Sequence, residues 1–193
     1  MHTLPPDYFN DVYRANADPW QFATSPYERD KYAATLAALP RERYENAFEI
    51  GCSIGVLSAQ LAPRCGGLLC VDASELPLEA ARERLAAFPH VRVARMVIPE
   101  EFPDETFDLI LLSEVGYYLA WDDLRRTRDG LTAHLRPGGH LLLVHWTPPV
   151  PDYPLTGDEV HEFFHEISGA DQPFVHRLGQ RADQYRLDLF EKR

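Results

Sequence analysis

The sequence predicts a doubly wound α/β domain: a mostly parallel, seven-stranded sheet closed by a C-terminal antiparallel hairpin. Three observations carry that expectation. The apolar run Ala47–Ile50 ends in the turn Gly51-Cys52-Ser53-Ile54-Gly55 and a helix-like stretch, and a second apolar run from Leu68 ends in Val71-Asp72. Strand and helix signals then alternate over residues 47–147, which implies parallel strands with helices on both faces. Two strand-like runs, Phe174–Leu178 and Tyr185–Glu191, close the chain around a polar turn at Gly179–Asp183.

The elements follow in order. Residues 1–25 are rich in Pro, Asp and aromatics, and Asp18-Pro19-Trp20 reads as a turn that plants a tryptophan. Ser25-Pro26 opens a helix, with Ser as cap, Pro in the first turn and Glu28 at the capping-box position. Tyr32, Leu36 and Leu39 form its apolar stripe, and Pro40 stops it. Strands are expected near 47–50, 68–71, 91–95, 107–112 and 140–145, with helices near 55–62, 75–87 and 121–134. Leu135–His140 reads as a helix-to-strand turn, and one short helix is expected near 157–167. The single domain, 1–193, divides into a helical cap (1–46), a core (47–145), an insert (146–170) and the closing hairpin (171–193).

Composition narrows the classes. At 193 residues the chain can bury a full core, and 45% hydrophobic with 25% charged residues is ordinary for a globular protein. No apolar run approaches the roughly 20 residues of a membrane span. Met1–Asp7 has neither the basic region nor the apolar core of a signal peptide. The net charge of -11 argues against nucleic acid or an anionic membrane as partner and suits a neutral or cationic small substrate. Cys52, Cys65 and Cys70 are odd in number, which suggests a reduced, cytoplasmic protein. Arg-, Ala- and Pro-rich usage points to a bacterial source.

The glycine turn and the acid about 20 residues beyond it indicate a nucleoside site. Gly51 and Gly55 allow a ligand to approach backbone, and Asp72 can accept two ribose hydroxyls. A dinucleotide turn requires Gly-x-Gly-x-x-Gly, but Ser53 and Val56 replace its second and third glycines. Glu49 would repel a phosphate and suits a ligand carrying an ammonium and a sulfonium.

With Glu49–Gly55, Val71-Asp72, Phe107–Glu114 and Leu135–Gly139, the chain resembles the class I S-adenosylmethionine-dependent methyltransferases and their Rossmann-like fold. Asp18-Pro19-Trp20, Ser25–Glu28, Leu39-Pro40-Arg41, Ser113-Glu114-Val115, Val144-His145-Trp146 and Tyr153–Asp158 make it similar to the nodulation protein S branch, over nearly the whole chain. Members of that branch N-methylate the free amine of a deacetylated chitooligosaccharide.

The resemblance implies S-adenosyl-L-methionine as cofactor and S-adenosyl-L-homocysteine as product. It implies that Glu49, Gly51, Ser53 and Gly55 line the methionine and ribose end and that Asp72 holds the ribose. Ala73 and Ser74 would lie beside the adenine, and Met96 and Val97 would flank it. Ser113 would offer backbone to the methionine ammonium, and Arg29 would reach the methionine carboxylate unless it is a solvated helix charge. Ligands of open α/β sheets sit at the carboxyl ends of strands. Glu114 and His145 end two strands, so they are the expected acceptor-side base, with Tyr118 beside them. Trp20, Tyr117, Trp146, Tyr153 and Asp158 are expected to bind the acceptor.

His161-Glu162-Phe163-Phe164-His165 matches the H-E-x-x-H zinc pattern, but no further zincin signature follows, so no metal is expected. The expected function is methyl transfer to a small-molecule amine or amino sugar. O- or S-methylation of another metabolite is the alternative, and a non-catalytic cofactor-binding module or a zinc hydrolase stands behind it.

Overall fold

In a computed structural model, which describes residues 2–193, the apolar runs become strands because each pairs with a neighbouring strand. β1 (Tyr44–Ile50) and β2 (Cys65–Asp72) are parallel, from Tyr44 opposite Cys65 to Ile50 opposite Val71. β3 (Val91–Arg95) continues the parallel ladder on β2. β4 (Phe107–Ser113) is parallel to β5 (Leu135–Trp146), and β7 (Tyr185–Lys192) runs antiparallel to β5 and to β6 (Phe174–Arg181). The strand order is β3-β2-β1-β4-β5-β7-β6, a seven-stranded sheet with the expected closing hairpin.

The helices are α1 (Pro6–Ala15), α2 (Pro26–Ala37), α3 (Val56–Leu61), α4 (Leu78–Leu85), α5 (Trp121–His134) and α6 (Gly157–His165). Ser25 caps α2 by accepting from the Glu28 amide, as its sequence requires. Thr156 and Glu159 form a reciprocal capping box on α6, which fixes where that helix begins. Among the described residues, no helix is long and apolar enough to cross a membrane.

Four expectations shift. α1 is a helix that the Pro- and aromatic-rich composition obscured, although Pro6 in its first turn suits a helix start. β1 and β2 each begin three residues early, at Tyr44 and Cys65, because they pair with each other there. Residues 135–140 belong to β5, and an irregular register between Phe107 and Leu109 absorbs the Pro-Gly-Gly segment that reads locally as a turn. β6 runs on to Arg181, so the hairpin turn is only Ala182–Gln184.

The chain forms two compact units. One, Pro5–Val97, holds β1–β3 and α1–α4, so the helical cap expected at 1–46 belongs with the first three strands. Its core includes Phe48, Leu61, Leu68 and Leu78, all inaccessible or nearly so. The other, Ile98–Arg193 with the first residues of the chain, is built around the buried strand β4 and includes Leu142, Phe164, Phe174 and Phe190.

Candidate functional site

In the unit Pro5–Val97 the site grows from the end of β1. The amides of Gly51 and Cys52 both donate to the Val71 carbonyl, so the chain folds over the tip of β2. Gly51, Ser53 and Gly55 then take φ of 85°, 49° and 76°, the left-handed region. Gly55 caps α3, and a Cβ there would meet Ala81 of α4 at 3.2 Å. Gly55 thus has a packing role, its bare backbone letting α4 approach, in addition to its dihedral requirement.

Asp72 ties this turn to the next. Its Oδ2 accepts the Ser53 amide at 3.1 Å and its Oδ1 accepts the Ser74 amide at 2.9 Å. Burial raises its carboxyl to about 6, against the lowering effect of those amides. Each carboxylate oxygen has two lone pairs, so a carboxylate fixed by one amide per oxygen retains acceptor capacity for a vicinal diol. The donor set fits a ribose.

α1 closes over both turns, which the sequence did not reveal. Tyr13 donates to the Ser53 hydroxyl at 2.7 Å, and the Ser74 hydroxyl donates to Asn10 Oδ1 at 2.7 Å. Asn10 and Tyr13 are three apart and share a helix face, the one signal that could have singled them out. Serine in place of the middle glycine thus has a reason. The hydroxyl that glycine lacks accepts from Tyr13, while the amide donates to Asp72 in compensation for the unfavourable φ. Burial pushes the Tyr13 phenol well above its ordinary value, so it stays a donor.

The remaining expected cofactor residues are spread around this frame. Glu49 is buried with the Cys70 thiol on its Oε2, and burial raises its carboxyl to about 7. Ala73 is half-buried beside Asp72. The Met96 amide donates to the Asp72 carbonyl, which fixes Met96, and with it Val97, beyond the end of β2. Trp20 stacks on Phe22 and meets Tyr13 edge-on at 5.7 Å. Arg29 is exposed and paired with Asp30 at 2.9 Å, a solvated helix charge in this structure rather than an arm held toward a carboxylate site.

In the unit Ile98–Arg193 the second cluster grows from the ends of β4 and β5. Ser113 is the last residue of β4, opposite Val144. Glu114 adds one more ladder bond, its amide to the Val144 carbonyl, and then turns the chain with φ 57°. Its Oε2 accepts the Tyr117 hydroxyl at 2.5 Å and the Trp146 amide at 2.9 Å. Three tyrosines adjoin it. Tyr117 stacks on Tyr153 at 5.2 Å, and Tyr118 lies edge-on to both at 4.7 Å.

The other expected acceptor-side residues are engaged within the fold. His145 is fully buried, with the Gly116 amide donating to Nε2 at 3.1 Å and His161 3.0 Å from Nδ1. Both ring nitrogens are thus engaged within the fold. Burial holds the phenols of Tyr117 and Tyr118 well above their ordinary value, so both stay protonated. Asp158 forms a two-pronged ion pair with Arg181 at 2.5 and 2.8 Å, which lowers its carboxyl, and stands in a charged surface cluster with Arg186.

The tautomers of the histidine chain follow from its donors. An amide donates to His145 Nε2, so the proton is on Nδ1 and is donated to His161 Nε2. The His161 proton is then on Nδ1, donated to Asp188 Oδ2 at 2.6 Å. Burial lowers the His161 pKa and keeps the ring neutral. Gly116 completes the arrangement, because a Cβ there would fall 2.6 Å from Val160 of α6 and 3.0 Å from His145 Nε2.

A family model for nodulation protein S (NodS) matches residues 10–145. The chain belongs to the nodulation protein S family. Nodulation protein S of Rhizobium tropici is 33% identical over 127 residues, which cover 65% of this chain and 53% of that protein. That of Bradyrhizobium diazoefficiens is 36% identical over 103 residues, 53% of this chain and 49% of its own length. The chain thus spans about half the length of these curated relatives. The crystal structure of the N-methyltransferase NodS from Bradyrhizobium japonicum WM9 with S-adenosyl-L-homocysteine is 28% identical, with a TM-score of 0.81 over 95% of this chain and 97% of that one. A solved protein from Pseudomonas syringae is 43% identical, with a TM-score of 0.75 over 86% of this chain and 99% of its own. The fold of this nodulation protein S family member is that of the methyltransferases.

Proposed function

We propose that the chain is an S-adenosyl-L-methionine-dependent methyltransferase that N-methylates a small-molecule amine or amino sugar. The observation that carries the cofactor is Asp72, whose carboxylate is fixed by the Ser53 and Ser74 amides with acceptor capacity left for a ribose diol. Family membership and the NodS complex with S-adenosyl-L-homocysteine support it. Glu49, Gly51, Ser53 and Asp72 would hold the cofactor, with Ala73, Ser74, Met96 and Val97 around it. When bound, the cofactor supplies an electrophilic methyl on a sulfonium.

The acceptor class rests on Glu114 and the tyrosines. A carboxylate flanked by aromatic faces suits an ammonium, through charge and through cation–π attraction. Glu114 would bind the acceptor's ammonium, take one proton and leave a neutral amine with its lone pair in place. Tyr117 and the Trp146 amide hold that carboxylate in position. Tyr118 and Tyr153 shield it from water, and His145, His161 and Asp188 fix the Gly116 turn that follows it. The net charge of -11 favours a cationic acceptor over an anionic one.

Calorimetric titration with S-adenosyl-L-homocysteine, beside NAD, tests the cofactor. Binding of the former alone is expected, and Asp72→Ala should weaken it about 100-fold or more, the cost of two hydrogen bonds to a charged group. Preference for NAD would overturn the reading. A screen of amines, amino sugars and hydroxyl acceptors with purified protein then tests the acceptor class.

A further inference from the structure

We propose that His165, His176 and Asp188 form a binding site for one divalent transition-metal ion of the zinc class, joining α6 to the β6–β7 hairpin. The site lies wholly within Ile98–Arg193 and does not depend on the proposed methyl transfer. It departs from the sequence expectation of no metal, which rested on the lack of a third ligand near His161 and His165. The tertiary structure brings that ligand from β7 and a further histidine from β6.

Four observations converge. One ligand atom from each of His165, His176 and Asp188 lies within 4.8 Å of the other two. Tetrahedral zinc with bonds of about 2.0–2.1 Å places its ligands about 3.4 Å apart. His165 Nε2 is 3.3 Å from Asp188 Oδ1, already near that spacing, while His176 Nε2 is at 2.6 Å and must withdraw slightly as the ion enters. Second, His165 Nε2 is buried and makes no hydrogen bond in the structure. Burying such an atom carries a cost that a ligand's coordination would offset.

Third, β6 contains a bulge that aims His176. Gly179 pairs with Asp188 and Leu178 with Leu189, but the register shifts before His176, which pairs with Phe190. Directly paired residues point to the same face, and side chains alternate along a strand. Without the shift His176 would face away from Asp188. With it, His176 joins the Asp188 face. Bulges commonly re-aim side chains in this way. Fourth, a Cβ on Gly179 would stand 2.9 Å from Asp188 Oδ1 and 3.3 Å from His176 Nε2. Glycine inside a strand often marks the close approach of a ligand, and here it leaves room for a water as fourth ligand.

The surroundings suit such an ion. Asp188 Oδ2 accepts from His161 and Arg186, so the ligating carboxylate is itself held by hydrogen bonds, as metal-bound carboxylates usually are. Glu162 pairs with Arg186 at 2.5 Å and offsets its charge. His165 and His176 are 26% and 33% exposed, which gives the ion a way in. The site is not that of an H-E-x-x-H hydrolase. His161 is engaged by His145 and Asp188, and Glu162 by Arg186, so the motif's first ligand and its base both have other work.

Untagged, chelator-stripped protein titrated with Co2+, followed by visible absorption, tests the proposal, with Zn2+ and Mg2+ as competitors. One equivalent should bind with tetrahedral bands, and Zn2+ but not Mg2+ should displace it. His176→Ala lies on the exposed edge strand and should weaken binding more than about 100-fold, beyond a typical second-shell loss. His165→Ala should do likewise, and Gly179→Ala about 10-fold by filling the open position. The circular-dichroism spectrum of each variant should match the parent. Substoichiometric binding, or full binding retained in the His165→Ala/His176→Ala double variant, would overturn the site.

Discussion

Two aspartates, one in each compact unit, show opposite uses of the same side chain. Asp72 is approached by backbone amides of its own and the neighbouring turn, and burial raises its carboxyl to about 6. Burial opposes ionisation of Asp188 too, yet hydrogen bonds from His161 and His176 and the charge of Arg186 outweigh it and hold that carboxyl far below its usual range. The first carboxylate has neutral partners and gains from a polar ligand. The second is compensated within the fold and organises structure. The environment, rather than the residue type, separates a carboxylate held by neutral amides from one held by histidines and an arginine.

The largest effect that would sharpen this contrast comes from Glu114. Glu114→Gln is expected to lower turnover about 100- to 10,000-fold with unchanged S-adenosyl-L-homocysteine affinity, the range for a lost general base. Single-turnover kinetics with an identified amine acceptor would check it, and near-normal turnover would remove Glu114 from the base role. Asp188→Asn comes next. It leaves half-buried Arg186 and buried His161 with a weaker partner and should destabilise the unit Ile98–Arg193 by about 3 kcal/mol in urea denaturation. A neutral result would show that Asp188 is not an anchor.

Tyr13→Phe tests the other side of the comparison. Loss of one hydrogen bond to Ser53 should weaken S-adenosyl-L-homocysteine about 3- to 10-fold, since the turn retains Asp72. The smallest effects are protonic. Glu49 and Asp72 have raised values, about 7 and about 6, so the native state holds more protons than the unfolded chain between about pH 4 and 7. Their contribution to stability is present below the ordinary carboxylate range and declines as pH rises through 6 and 7. Asp188 has the opposite sign: its contribution is present above about pH 4 and is lost as pH falls below it. Denaturation of Asp72→Asn and Asp188→Asn across pH would flatten one arm each. If Glu49 meets a ligand's ammonium, calorimetry near pH 6 in buffers of different ionisation enthalpy should also detect proton release, and its absence would take Glu49 out of that contact.

What could be read from the sequence was local. The turn Gly51–Gly55 and Asp72 lie within one strand–helix–strand unit, so spacing alone places them. Glu114 was legible because it directly follows a continuous apolar strand. Tyr13 and Asn10 were not, because they act from a helix some 40 and 64 residues from their partners, Ser53 and Ser74. His145 was legible as a position at a strand end, but its partners Gly116 and His161, 29 and 16 residues away, were not.

By itself the sequence determined the alternation of strands and helices, the glycine turn and its acid, and the closing hairpin. These depend on periodicity and on backbone freedom, which are properties of neighbouring residues. Only the tertiary structure decided which histidines bind one another, which face His176 takes, and which carboxylates are compensated. Those outcomes depend on strand register and on desolvation, which exist only once distant segments have packed.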